Sequence, residues 1–329
     1  MSVAMCLLTY SLLVVFLGPP ILTWLTSAEV APASSVLVWL AALISVLVSW
    51  IAATAFLAAD AAYTGMSGDA MWRACVGAVR TAASGTHGSA IQAGALVIVG
   101  AATAGLVRLG WRLMTVQRRV RRRASGYAQA ARMVGHRVAG VDAVILDTGE
   151  AAAYCLADPA RTMIVTTGAL SALDAAQLDA VLAHERTHLA EHHHVVITVT
   201  RGLASALGPI TLFRRGARQI ARLLELRADD VAAAAVGRDT LLAAFTALTH
   251  PGAFSVPARV PAEALGASGG DMVVRVQRLV TPPDPWRVRW LSGARLAMAA
   301  ALAGGPIVVA VMSATGAGIC ALAGLLASS

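Results

Sequence analysis

His184-Glu185-Arg186-Thr187-His188 puts two imidazoles and a carboxylate within five residues. Residues four apart on a helix share a face, so both rings can bind one metal ion. Glu185 then sits beside the open coordination position, where it can take a proton from water. The chemistry such a group performs is metal-assisted hydrolysis. With 8 His in 329 residues, and Glu scarcer still, chance gives about 0.004 such patterns in the chain, so incidental His and Glu on a surface helix are a poor account of it.

A catalytic zinc takes three protein ligands and leaves a fourth position for water. Leu223 to Val236 (LLELRADDVAAAAV) reads as a helix, and Glu225 is its best candidate for the third ligand. Asp229, one turn on, is placed to accept the free ring N–H of His184 or His188. Taken alone, Glu225 reads better as a partner of Arg222 or Arg227 on a solvated face; paired with the H-E-x-x-H motif, it reads as the ligand. His192, His193 and His194 follow the motif closely. A fourth His ligand would close the open position, so this cluster is read as solvated or facing lipid head groups. The isolated His136 and His250 receive no role, and Cys155 reads as a small buried residue.

The elements around the motif are short. Ala143 to Leu146, Ala152 to Leu156 and Met163 to Thr167 are β-type runs bounded by Asp, Gly and Pro. Asp174 opens a helix through Ala190, with Leu178, Val181, Leu182 and Leu189 at helical spacing. The run Ala152, Ala153, Tyr154, Cys155 reads either as an edge strand that receives substrate by strand addition or as a structural strand only.

The rest of the chain is unlike a soluble domain: 57% hydrophobic, 13% charged, mean hydropathy +0.69. Typical soluble domains are about 45–50% apolar and about 25% charged. This composition excludes disorder and an ordinary cytosolic globule, and predicts an integral membrane protein. The four scattered Cys form no C-x-x-C pair, which argues against a disulfide scaffold or a thiolate cluster. All 26 basic residues are Arg, which we read as genomic base composition.

Four uncharged runs are long enough to span a bilayer of about 20 helical residues. They fall at 2–25, 36–59, 90–107 and within 293–329, with a kink or an end expected at Gly18-Pro19-Pro20 and a kink at Gly304-Gly305-Pro306. Residues 1–111 thus hold three spans, 112–292 a water-facing α+β domain, and 293–329 the last span. Residues 108–137 carry nine Arg and no acid. The positive-inside rule puts this stretch in the cytoplasm and the N-terminus outside. Arg118 to Arg123 then serve topology and anionic head groups, and no direct nucleic-acid binding is expected. The apolar run Val195 to Phe213 is not read as a simple crossing, because Arg214 to Asp230 carries five Arg, one Glu and two Asp back to the metal. It is a helix at the membrane surface or against the spans, or a partial insertion returning to the same side.

The stretch TMIVTTGALSALDAAQLDAVLAHERTHLAEHHH, followed by ELRAD, resembles the gluzincin zinc metallopeptidases, both the Ste24/HtpX-type membrane proteases and the BlaR/MecR-type signal transducers. The order of three spans, a basic stretch, a peptidase and a fourth span is closer to BlaR/MecR. The resemblance implies a multi-pass α-helical membrane protein with a cytoplasmic α+β zincin-like domain. It implies one zinc per chain on His184, His188 and Glu225, with Glu185 as general base. BlaR/MecR receptors have an extracellular penicillin-binding sensor after the last span; no counterpart precedes Ser329, so direct β-lactam sensing is not expected. Three functions follow. One is a regulatory plasma-membrane metallopeptidase cutting a cytoplasmic protein such as a transcriptional repressor, with homodimerisation open. Another is a Ste24/HtpX-like quality-control or processing protease. The third is a non-catalytic signalling protein with a structural zinc. With no sensor, the stimulus of the first would be read by the spans, the 60–88 loop or a partner.

Overall fold

A computed structural model describes residues 3–27, 29–63, 87–138, 142–249 and 269–327. Most of the 60–88 loop, His250 and part of Gly266 to Gly270 lie outside the described residues. The chain is a multi-pass helical membrane protein with a small α+β unit, the class expected from composition and motif.

Two long helices open the chain, α1 (Val3–Thr26) and α2 (Pro32–Tyr63). At about 1.5 Å per residue both exceed the roughly 30 Å hydrocarbon layer. α1 runs through Pro19 and Pro20 without ending there. α3 (His87–Val134) covers the 90–107 run, where a span is expected, and continues, unbroken, through the Arg-rich stretch. The charge boundary at Arg108 is therefore not a structural boundary, because Arg and Ala are strong helix formers. The side chains of residues 87–96 lie outside the described set.

Three short strands follow: β1 (Val144–Leu146), β2 (Ala153–Cys155) and β3 (Met163–Thr166). Their order is β1-β3-β2, with β1 parallel and β2 antiparallel to β3, so β2 is an edge. After α4 (Thr167–Ala172) comes α5 (Ala175–Ala190), the helix of the H-E-x-x-H motif. Asp174 caps it, with Gln177 completing a reciprocal capping box. α6 (His193–Ala206) and α7 (Thr211–Val236) form a hairpin, and Gly237, at φ 95°, ends α7. α8 (Arg238–Thr249), α9 (Gly269–Val280) and α10 (Pro285–Ala327) complete the chain.

Among the described residues, Val3–Thr26, Pro32–Ala59 and Pro285–Ser313 are long and apolar enough to cross a membrane. α7 and α8 together would pass the same test, but they meet at 120°. α7 also carries Glu225, Asp229 and Asp230, so this pair is not read as a span.

The run Val195 to Phe213 packs against the spans. Leu212 and Phe213 are fully buried among Val14 and Leu22 of α1 and Trp39, Leu43 and Val46 of α2. The Phe213 ring lies 6.1 Å from that of Trp50, centroid to centroid. Trp50 is about 21 Å along α2 from Val36, where the expected span begins. The α6–α7 turn therefore reaches deep between the spans, and α7 returns along α2 toward the peptidase unit. Gly216 allows the approach: a Cβ there would stand 3.3 Å from Trp39 and Leu43.

The α1–α2 turn is held against that unit. Arg295 of α10, wholly buried, donates to the Leu25 carbonyl at 2.8 Å and to the Val30 carbonyl, supplying donors where helix α1 leaves its last carbonyls unpaired. Glu29 pairs with Arg222 of α7, and its carbonyl accepts from Arg278 of α9 at 2.9 Å. Arg278 also pairs with Asp230. A separate core, centred on Ile145, Val165, Leu182, Leu241, Phe245 and Leu279, joins the sheet to α5, α8 and α9.

Candidate metal centre

The helical phase of α5 puts His184 and His188 on one face, and α7 brings Glu225 to them. The two Nε2 atoms lie 3.1 Å apart. Glu225 carboxylate oxygens lie 3.5 Å from His184 Nε2 and 3.6 Å from His188 Nε2. With metal–ligand bonds near 2.1 Å, the edge of a tetrahedral zinc site is about 3.4 Å. The donor set and its spacing thus fit zinc, and these three residues form the metal-capable group found among the described residues. Glu225 does not take the solvated-face role, because its neighbours are engaged elsewhere: Arg227 holds Glu191, and Arg222 pairs with Glu29.

Behind His184 stands a carboxylate that an arginine holds. His184 Nδ1 is 3.0 Å from Asp229 Oδ1, although the angle falls outside a well-formed hydrogen bond. Asp229, 1% exposed, accepts two 2.7 Å bonds from Arg275 of α9, whose guanidinium stacks 4.6 Å above the Phe245 ring. Arg275 also approaches Glu225 at 3.6 Å. The sequence reading reached Asp229 but not Arg275; one more Arg on an amphipathic helix carries no local signal.

His193 overturns the reading of the His192–His194 cluster as solvated. It is 1% exposed, and its Nδ1 lies 2.9 Å from His188 Nδ1. The reason is the turn at His192, whose left-handed backbone (φ 56°) ends the run of α5 and swings His193 back under the motif. His192 itself is exposed. A metal on Nε2 of His188 would put the ring proton on Nδ1, which would then donate to His193 Nδ1. His193 Nε2–H in turn faces Glu191 at 3.2 Å. Arg227 secures Glu191 with bonds of 2.7 and 3.1 Å. His193→Ala should therefore weaken zinc binding about 10- to 100-fold, as loss of such backing does elsewhere. Competition titration against a chromophoric chelator measures this, and unchanged affinity would contradict the relay.

Glu185 accepts a 3.0 Å hydrogen bond at Oε2 from the backbone N–H of Cys155 in β2. The base and the edge strand are thus physically joined. Burial pushes the Glu185 carboxyl above its usual range, the direction a proton acceptor near neutral pH requires. Burial and the neighbouring carboxylate push the Cys155 thiol up, so it stays protonated. It does not behave as a nucleophile.

The cluster's protons follow from its charges. Burial works against a charged His184, but Asp229 and Glu225 outweigh it and raise its pKa to about 10. Burial, then the charge on His184, lowers His188 to about 4. Burial opposes ionisation of Glu225, yet the two histidines hold it down at about 2. Without metal, the cluster therefore carries one proton across neutral pH, on His184. Zinc must displace it, so affinity falls as pH falls. Between pH 7 and 5.5 the loss should be about 30-fold, one proton per zinc. Zinc titrations at three pH values in that window give the slope, and a slope of two would mean that His188 is protonated as well.

Fold and site together give the donor set of the H-E-x-x-H metallopeptidases, carried on α5 and α7, with α7 packed against the membrane-type helices α1 and α2. Comparison with known proteins agrees. Residues 114–213 match Peptidase family M48. Over 47 residues the chain is 49% identical to a protein of Acidiphilium cryptum (strain JF-5) named Protease HtpX homolog. That alignment covers 14% of this chain and 16% of the relative, so the chain spans about a sixth of the curated relative it matches. Both similarities fall on the Ste24/HtpX side of the resemblance and give the BlaR/MecR side no specific support.

Proposed function

We propose that the chain is a membrane-embedded zinc metalloendopeptidase of the Ste24/HtpX kind, holding one zinc on His184, His188 and Glu225. The observation that carries this is the 3.0 Å bond between the Glu185 carboxylate and the β2 backbone, beside three donors at zinc-site spacing. Zinc held there supplies a Lewis acid that acidifies water and polarises a carbonyl. Glu185 takes the water proton and returns it to the leaving amine. Ala152 to Cys155 offer the outer edge of β2, which no other strand among the described residues covers, to an extended substrate, which positions its peptide bond over Glu185. Asp229 and His193 hold the two imidazoles in the tautomers that face the metal.

The peptidase unit is placed in the cytoplasm with the N-terminus outside. The α1–α2 turn meets α7 and α9, so it shares a side with the unit, and α3 carries its Arg-rich stretch on that side. The substrates are membrane or membrane-delivered proteins, because α6 and α7, which frame the centre, pack their far ends among the spans and so hold it close to them. A regulatory enzyme acting on a cytoplasmic repressor is the second reading. The Glu29–Arg222 ion pair and the Arg278 hydrogen bond to the Glu29 carbonyl favour it, since they tie the first two spans to helices that bear Glu225 and Arg275.

N-terminal peptide profiling of cells carrying wild type or Glu185→Gln separates these. New termini in several membrane proteins support processing or quality control. A single cleaved cytoplasmic regulator supports the second reading. No difference in any terminus would sink both.

A further inference from the structure

A second site lies away from the metal, where α3 crosses α6. The two helices leave a groove of about 230 Å³, walled by Leu109, Leu113, Val116 and Ile197. Arg112 from α3 and Arg201 from α6 both line it and are exposed, and no carboxylate among the described residues lines it. The groove runs along α3 for about 16 Å, from Leu109 to Val120. Its inner end lies beside Ser205 and Ala206, toward the turn buried among the spans. Its middle is at interface level: Trp111, 74% exposed, adjoins Arg112 just past the apolar run ending at Val107.

Two guanidiniums facing one apolar groove repel each other unless an anion lies between them, and guanidinium pairs with phosphate in a bidentate fork. A free phosphate would leave the apolar walls unused, whereas an acyl chain fills them and gains contact along the helices. We propose that this groove is a discrete binding site for one anionic phospholipid. Its phosphate is held between Arg112 and Arg201, and one acyl chain runs toward Ser205 and Ala206. This differs from the diffuse attraction that Arg118 to Arg123 exert on any anionic surface.

The test uses the full chain in detergent, stripped of lipid, and counts bound lipid by native mass spectrometry. Dioleoylphosphatidylglycerol, dioleoylphosphatidylcholine and inorganic phosphate are the probes. One phosphatidylglycerol per chain should bind in wild type, with phosphatidylcholine much weaker. R112Q/R201Q should reduce affinity about 30-fold, at about fivefold per arginine. Ser205→Phe, at an exposed position, should block the groove while both arginines remain. R118Q/R119Q/R121Q should keep the single bound lipid. Unaltered zinc content in each variant shows that it has folded. Equal binding of phosphatidylcholine, or full retention by R112Q/R201Q, would overturn the proposal. So would inorganic phosphate binding that Ser205→Phe leaves intact, which would make this an anion site only. Displacement of the lipid by a farnesylated peptide that binds R112Q/R201Q as well as wild type would reassign the groove to a lipidated protein.

Discussion

Glu185→Gln should keep one zinc per chain and lose peptidase activity by a factor of about 10²–10⁴. The amide is nearly the same size as the carboxylate, and Cys155 N–H can still donate to its oxygen, so the edge strand stays in place. Glu185 is not among the three donors grouped at metal spacing, so the metal should stay too. What disappears is the proton acceptor. Zinc content by atomic emission and cleavage of a fluorogenic peptide, measured on the same detergent preparation, read the two effects apart. Zinc in both proteins with equal cleavage would mean a structural site and a different source of activity. Zinc lost from the variant would mean that Glu185 belongs to the metal rather than to the proton. The raised position of the Glu185 carboxyl gives the pH sign: activity requires it ionised, so the rate falls as pH drops through its folded pKa.

How much of this was legible depends on the distance over which each feature is encoded. The H-E-x-x-H motif is local, because four residues of helix fix which side chains share a face, and the Asp174 cap sits ten residues upstream in plain view. Glu225 was reachable because a helix with one well-placed carboxylate had to return to the motif. His193 was not, since its role depends on one residue, His192, adopting a left-handed conformation that no composition rule requires. Arg275 was not either. It meets Asp229 across 46 residues of chain, through packing of α9 on α7 and α8. Hydropathy gave the membrane class but left Val195 to Phe213 ambiguous, because an apolar helix looks the same whether lipid or other helices surround it. Trp39, Trp50 and Gly216 settle that locally, and none of them announces it in sequence.

Arg275→Met is expected to damage the protein more than any other single change outside the metal ligands. Asp229 is 1% exposed and receives both of its strong hydrogen bonds from this guanidinium. Removing the cation leaves a buried carboxylate without its partner, a loss of about 3–5 kcal/mol in comparable cases. The damage has two parts, and they can be separated. The first is the uncompensated charge, which Asp229→Asn in the same chain removes. R275M/D229N should therefore melt well above R275M alone and close to wild type. The second is the orientation of His184, which needs a full carboxylate behind Nδ1. The double variant should still bind zinc about 10- to 100-fold more weakly than wild type. Thermal melting by tryptophan fluorescence, with and without added zinc, gives both numbers. If the double variant recovers neither stability nor zinc affinity, Arg275 acts through its stacking on Phe245 and its approach to Glu225 rather than through Asp229. If it recovers both, the carboxylate behind His184 is dispensable, and the relay through His193 and Glu191 alone fixes the geometry of the centre.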